Sequence, residues 1–226
     1  MPVTRGLFLV MEGIDGSGRS TQLHRLAAWF RAHGIPTLAT FEPSTGAIGQ
    51  LIRRYLRGEE PVAAPPDALA LLFAADRLEH LAREVQPALA RGEVVLCDRY
   101  LASSFAYQGL GSAPEFVRAA NARALRPVIT LYFKVDPEIA LARIAARDGE
   151  RRELFETREQ LTRIAAAYDA VFGLADGPAE FPATVIDAGA HPDAVFEACV
   201  AACRPLLTPN PGLVPTPLGP EPPGQA

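Results

Sequence analysis

The segment LFLVMEGIDGSGRSTQLHRLAAWF limits what this chain can fold into more than any other. Leu7–Glu12 is an apolar run of strand length, and Leu23, Leu26, Ala27 and Phe30 recur at the 3 and 4 spacing of a helix face. Between them lies G-x-x-x-x-G followed by Arg19 and Ser20. A strand that ends in such a loop and opens directly into a helix aims successive backbone N–H groups at one anion, at the positive end of the helix dipole. Gly13 and Gly18 hold the two fixed positions, Gly16 adds backbone freedom, and Ser17 and Thr21 complete the cradle. The Ser20 hydroxyl is the group that reaches Mg²⁺ beside the β- and γ-phosphates. A glycine-rich turn that merely joins strand to helix is the plainer alternative.

Arg19 stands where such loops carry lysine. Arginine keeps the charge, but its planar fork is longer and less compact than an ammonium, so binding should survive the exchange better than turnover. The chain has 22 basic residues and a single lysine, Lys134. Arg19 therefore also fits a chain-wide preference for arginine.

The rest of the chain repeats the alternation. PTLAT, VVLCD, VITLYFKV and TVIDA read as four more strands, separated by helical patterns that include a long one from about Pro66 to Ala90, ended or interrupted near Pro87. Strands that alternate with helices predict a parallel sheet with right-handed crossovers, covered on both faces. The expected fold is thus α/β, three-layered, with a five-stranded parallel sheet flanked by helices. One domain over 1–207 is expected, then a disordered tail over 208–226, since eight prolines fall between Pro205 and Ala226. A net charge of −4 argues against a nucleic-acid partner. No run approaches a membrane span and no signal peptide is read, so no membrane partner and a cytoplasmic setting are expected. Cys97, Cys199 and Cys203 form no CxxC pair, which fits reduced, buried thiols.

A GTPase would carry N-K-x-D, and none occurs. A kinase for a phosphate acceptor needs arginines around a second anion. FAADRLEH and CDRYLASSFAYQG supply them, the second opening at the carboxyl end of a strand. At these residues the chain resembles the thymidylate kinases, P-loop kinases that phosphorylate dTMP. The resemblance joins EGIDGSG, FEPSTGAIGQLIR, LLFAADRLEHL, PALARGEVVLCDRY and SSFAYQG in order, up to about Leu207.

The resemblance implies Mg²⁺-ATP as donor, dTMP as acceptor and a homodimer. It places Arg77 and Arg99 on the acceptor phosphate, Phe73 against the thymine ring, and Ser104 and Gln108 at the polar edge of the base. Tyr107 matches the position that crowds a ribose 2′-hydroxyl. Asp15 faces the acceptor's sugar and phosphate, Glu42 belongs to an E-P turn beside the acceptor, and Asp98 holds Mg²⁺ through water. A lid near 147–155 brings arginines over the transferring phosphate. Arg143 and Arg147 go to ATP, and either Arg151 or Arg152 serves the transition state. Without the resemblance, Phe73 and Tyr107 read as core, Arg77 as a partner of Asp76 or Glu79 on a solvated helix, and the lid arginines as an exposed charged turn. His80 is read as structural. A second departure is Phe41, where many relatives carry arginine, which removes one contact to the acceptor phosphate. The competing readings are a kinase for dUMP or another nucleoside monophosphate, and a catalytically weak nucleotide-binding module.

Overall fold

A computed structural model describes residues 6–148, 157–175 and 177–207. Five strands, β1 (Leu7–Glu12), β2 (Thr37–Phe41), β3 (Val94–Asp98), β4 (Ile129–Lys134) and β5 (Thr184–Asp187), form one sheet in the order β2-β3-β1-β4-β5. Every pairing is parallel. The expected strands are all present, with ends moved by a residue or so.

The helices are α1 (Arg19–Ala32), α2 (Ala47–Leu56), α3 (Pro66–His80), α4 (Gln86–Ala90), α5 (Leu101–Tyr107), α6 (Pro114–Ala120), α7 (Pro137–Asp148), α8 (Arg158–Val171) and α9 (Pro192–Cys203). The long helix expected from Pro66 to Ala90 runs through one widened turn, Leu81–Val85, before α4. Pro87 has no N–H to donate, and it sits in the first turn of α4, where none is required.

Alternation along β1 divides the core. Leu7, Leu9 and Met11 face one apolar layer with Leu23, Leu26 and Phe30 of α1 and Leu161 and Ile164 of α8. Phe8 and Val10 face the other, with Leu81, Val85, Ala88 and Leu101. Because successive strand side chains point to opposite faces, a sheet apolar on both must be covered on both. The result is the three-layer arrangement the sequence predicts.

Register then places the site. Met11 is level with Asp98 on one side and with Leu131 on the other, so β1 and β3 end within a residue of each other while β4 runs on to Lys134. The chain leaves β1 toward β2 and leaves β3 in the opposite sense, which opens a crevice at the carboxyl ends of this neighbouring pair. Among the described residues, no helix is long and apolar enough to cross a membrane.

Candidate active site

The loop after β1 needs its glycines. Gly16 and Gly18 have φ of +75° and +83°, in the left-handed region, and a Cβ on Gly16 would come within 2.3 Å of the Ala140 carbonyl oxygen. Gly18 is the residue from which α1 starts, and no acidic side chain lies in the first turn to oppose an anion. Ser20 and Thr21 are exposed at the mouth, whereas Ser17 is buried and its hydroxyl has no hydrogen-bond partner. Arg143 of α7 reaches the same loop, donating to the Ala188 carbonyl at 2.9 Å and more weakly to that of Gly16 at 3.5 Å.

Arg19 does not point out of the loop. It lies beneath it, 7% exposed, and one guanidinium nitrogen donates to the carbonyls of Gly13 at 2.6 Å and Ile14 at 2.9 Å. Its Nε donates to Asp98, and the other terminal nitrogen is 3.5 Å from Asp15. Ser20 donates to the second oxygen of Asp98. A single carboxylate at the end of β3 thus ties the loop cation to the loop hydroxyl. A lysine, with one nitrogen, could not reach all of these acceptors together.

Arg99 joins the loop to the neighbouring cavity. It adopts φ +69°, a left-handed conformation that a non-glycine residue holds only under constraint. The constraint is visible at both ends. Its backbone N–H donates to the Met11 carbonyl at 2.9 Å. Its guanidinium donates to Asp15 at 2.6 Å, Tyr107 at 2.7 Å, and Gly13, Tyr168 and Ser103 at 3.2 to 3.3 Å. The guanidinium also lies 4.6 Å from the centre of the Tyr107 ring. Burial alone would raise the Asp15 carboxyl. The charges of Arg99 and Arg19, with hydrogen bonds from Arg99 and Tyr107, outweigh it and hold Asp15 ionised, well below the usual carboxylate range.

Beyond Arg99 is a cavity of about 120 Å³ lined by Asp15, Glu42, Phe73, Arg99, Tyr107 and Gln108, with Pro43, Leu56 and Ser103. A second, of about 320 Å³, holds Arg19, Ser20, Glu42, Asp98 and Arg99. Loop and acceptor residues expected from the sequence are therefore brought to one edge of the sheet. Arg77 and Ser104 lie behind this wall. Arg77 is 1% exposed and gives every guanidinium hydrogen to the protein: to Glu42 at 3.0 and 2.8 Å, to Ser104 at 3.1 Å, to the Tyr100 carbonyl at 3.0 Å, and to Asn121. It pairs with neither Asp76 nor Glu79. Asp76 accepts from the Ser44 amide and hydroxyl, and Glu79 accepts from Arg83.

Several residues with work at this site were not singled out from the sequence. Glu12, 1% exposed, accepts from the N–H groups of Tyr100 and Ser103 and from the hydroxyls of Ser103 and Tyr168. It thereby caps α5 and fixes two of the groups that hold Arg99. Tyr168 comes from α8, far along the chain, and at strand or helix spacing it is indistinguishable from core. Arg53 of α2 lies 5.3 Å from the ring of Phe41 and donates to the carbonyls of Pro43 and Ser44. A guanidinium therefore stands beside the E-P turn even though Phe41 replaces the expected arginine. Arg147 is exposed at the end of α7, and Arg151, Arg152 and most of the expected lid lie outside the described residues.

Residues 11–195 match the family model described as thymidylate kinase. A protein named putative thymidylate kinase from Aeropyrum pernix is 46% identical over 168 residues, covering 74% of this chain and 79% of its own length. Thymidylate kinases from Solidesulfovibrio magneticus and Alkalilimnicola ehrlichii are 37% and 38% identical. They cover 89% and 91% of this chain and 100% and 96% of their own.

Proposed function

The chain belongs to the thymidylate kinase family, and from that premise we propose that it transfers the γ-phosphoryl group of Mg²⁺-ATP to dTMP, giving dTDP and ADP. The observation that carries this reading is Arg99. Its guanidinium touches the loop at Gly13 and the acceptor cavity through Asp15 and Tyr107 at once. A protein that only bound ATP would have no use for a cation at that junction.

In this reading ATP phosphates lie on the loop N–H groups, with Arg143 on the donor side, and dTMP enters the cavity beside Phe73, Tyr107 and Gln108. Ser20 and Asp98 would hold Mg²⁺, directly or through water. Their oxygens already meet in a hydrogen bond at the loop mouth, and a hydroxyl with a carboxylate is the donor set that a hard cation takes. When bound, that ion neutralises charge on the β- and γ-phosphates.

The acceptor oxygen belongs to a phosphate whose second ionisation is near ~6, so it attacks as a dianion and needs no general base. Positioning and electrostatics supply the rest. Arg99 orients the acceptor phosphate, Asp15 holds Arg99 in place, and Arg77 keeps Glu42 from presenting an uncompensated charge to it. Arg19 must give up some loop carbonyls or Asp98 to reach a phosphate, which ties turnover to that exchange. Arg151 or Arg152 closes over the transferring group. A homodimer accompanies this reading, supported by the exposed Leu71 and Leu78, seven apart on α3, and is tested by sedimentation. A cytoplasmic setting is supported by three free, buried thiols.

The test is ADP release by the purified chain with Mg²⁺-ATP and dTMP, dUMP, ribothymidine monophosphate or no acceptor. Turnover that depends on dTMP, with dUMP slower and the ribonucleotide excluded, is expected. Nucleotide binding with no turnover on any acceptor would overturn the reading in favour of a catalytically silent module.

A further inference from the structure

Behind the acceptor cavity lies a charge cluster centred on His80, a residue the proposed chemistry does not use. His80, 2% exposed, has Nδ1 at 3.3 Å from Glu42 Oε1, and Nε2 at 2.8 Å from the Thr40 hydroxyl and 3.2 Å from Glu84 Oε2. Thr40 gives its own hydrogen to Glu84 at 2.8 Å, so its free lone pair faces the ring. Both ring nitrogens therefore face acceptors, an arrangement that only the doubly protonated ring satisfies.

The groups around it act in the same direction. Glu42 from the turn after β2, Glu84 from the widened turn after α3 and Asp76 from α3 are acids. Burial alone would lower the ring's pKa, but the hydrogen bond to Glu42 and the charges of Glu42, Glu84 and Asp76 raise it above the ordinary histidine range. Arg77 lies across Glu42, and the Arg83–Glu79 pair sits at the outer mouth of the same recess. The Cys97 thiol of β3 also lies within 4.8 Å of the Glu42 and His80 ligand atoms. It is no metal ligand here: burial and the nearby carboxylates push it well above its usual pKa, and it donates to the Arg99 carbonyl. Arg77 sets two N–H groups on one Glu42 oxygen and His80 faces the other, so a cation there would be held against a buried guanidinium.

We propose that His80, as an imidazolium, is a positioning residue for the acceptor side: with Arg77 it holds and neutralises Glu42, the carboxylate that lines both cavities. It touches no substrate. Loss of its proton leaves the wall one unit more negative opposite a dianionic acceptor and leaves Glu42 Oε1 without a charged partner. The cost falls on acceptor affinity rather than on phosphoryl transfer. This inference rests on the dTMP kinase reading, and its test separates the two.

The test measures dTMP KM and kcat from about pH 7, where the acceptor is already mostly dianionic, to about pH 9.5, with histidine ring NMR on the same protein. The chain has four histidines, and His24, His33 and His191 are exposed, so the His80 signal is the one absent from His80→Gln. We expect dTMP KM to rise about three- to tenfold with a midpoint matching the His80 titration, while kcat and the KM for ATP stay level. His80→Gln should show the high KM at every pH. Glu84→Gln removes one of the stabilising carboxylates and should move both midpoints to lower pH together. A dTMP KM that stays flat while His80 titrates, or a His80 ring neutral at pH 7, overturns the inference even if His80→Gln does not fold. Absence of dTMP-dependent turnover with a His80 that titrates as described would instead strike the kinase reading.

Discussion

The loop Gly13–Thr21 and the wall around Arg77 both gather charge at the carboxyl edge of the sheet, but by different means. The loop does so within consecutive residues, using backbone N–H groups and a helix end. The wall draws Glu42 from the turn after β2, Arg77 and His80 from α3, Ser104 from α5 and Asn121 from the end of α6. A loop of this kind tolerates a change of side chain, because much of its binding power is in the backbone. A wall of buried, mutually paired charges tolerates little, because removing one partner leaves another unpaired in low dielectric. Arg77 and Arg99 make the contrast concrete. Both are arginines in short D-R motifs, yet one is sealed in the protein and the other lies between the loop and the neighbouring cavity.

The largest effect that would sharpen this contrast is on stability. Arg77→Met should cost about 3–5 kcal/mol, because Glu42 is left buried with only His80 to pair it. For a chain of this size that corresponds to a fall in Tm of about 10 °C or more. A melting curve that overlays the wild type would show that the wall is not held by Arg77. Next in size is Arg99→Ala, which should lower kcat/KM for dTMP by about 10²- to 10³-fold with a much smaller loss of Tm. An unchanged kcat/KM would remove Arg99 from the acceptor site and break the contrast.

How much of this was legible beforehand follows the same division. Both sides of the loop are short-range patterns, so β1, the loop and α1 could be read from spacing alone, as could strands such as Val94–Asp98. Asp98, leaving the end of a buried strand, could be singled out in the same way, whereas Asp15 was assigned only through the resemblance. The partner of Arg77 was not, since nothing in FAADRLEH says that its ion pair lies 35 residues earlier in the sequence, at Glu42. Glu12 and Tyr168 were missed because a last strand residue and a helix-face tyrosine look like packing until the fold brings them together. The widened turn before Pro87 was half legible: proline signals an interruption, but not that the helix axis would continue past it.

Smaller effects test finer parts of the comparison. Tyr107→Phe removes the hydroxyl shared by Asp15 and Arg99 and should raise the dTMP KM about five- to tenfold, with a gain in use of the ribonucleotide. No change in either quantity would make Tyr107 simple packing. Arg19→Lys should keep or raise kcat while lowering stability by about 1 kcal/mol, since two loop carbonyls and Asp98 lose donors. A collapse of activity would show that the loop has adapted to arginine and is less tolerant than its backbone design suggests.

The smallest concerns pH. The folded pKa of His80 is raised, so its contribution to stability is complete below the unfolded value of about 6.5 and is lost as pH rises through the folded value. The stability difference between wild type and His80→Gln, from urea titrations, should therefore shrink with increasing pH. A difference that grows would reverse the assignment of charge to this ring.

The central claim is that donor and acceptor sites are built separately and meet at Arg99. Direct binding to Arg99→Ala tests it without relying on turnover. Calorimetric titration with dTMP and, separately, with a non-hydrolysable ATP analogue should give a dTMP Kd weakened by about tenfold or more and an analogue Kd within about twofold of wild type. Equal weakening of both ligands, or an unchanged dTMP Kd, would contradict the claim.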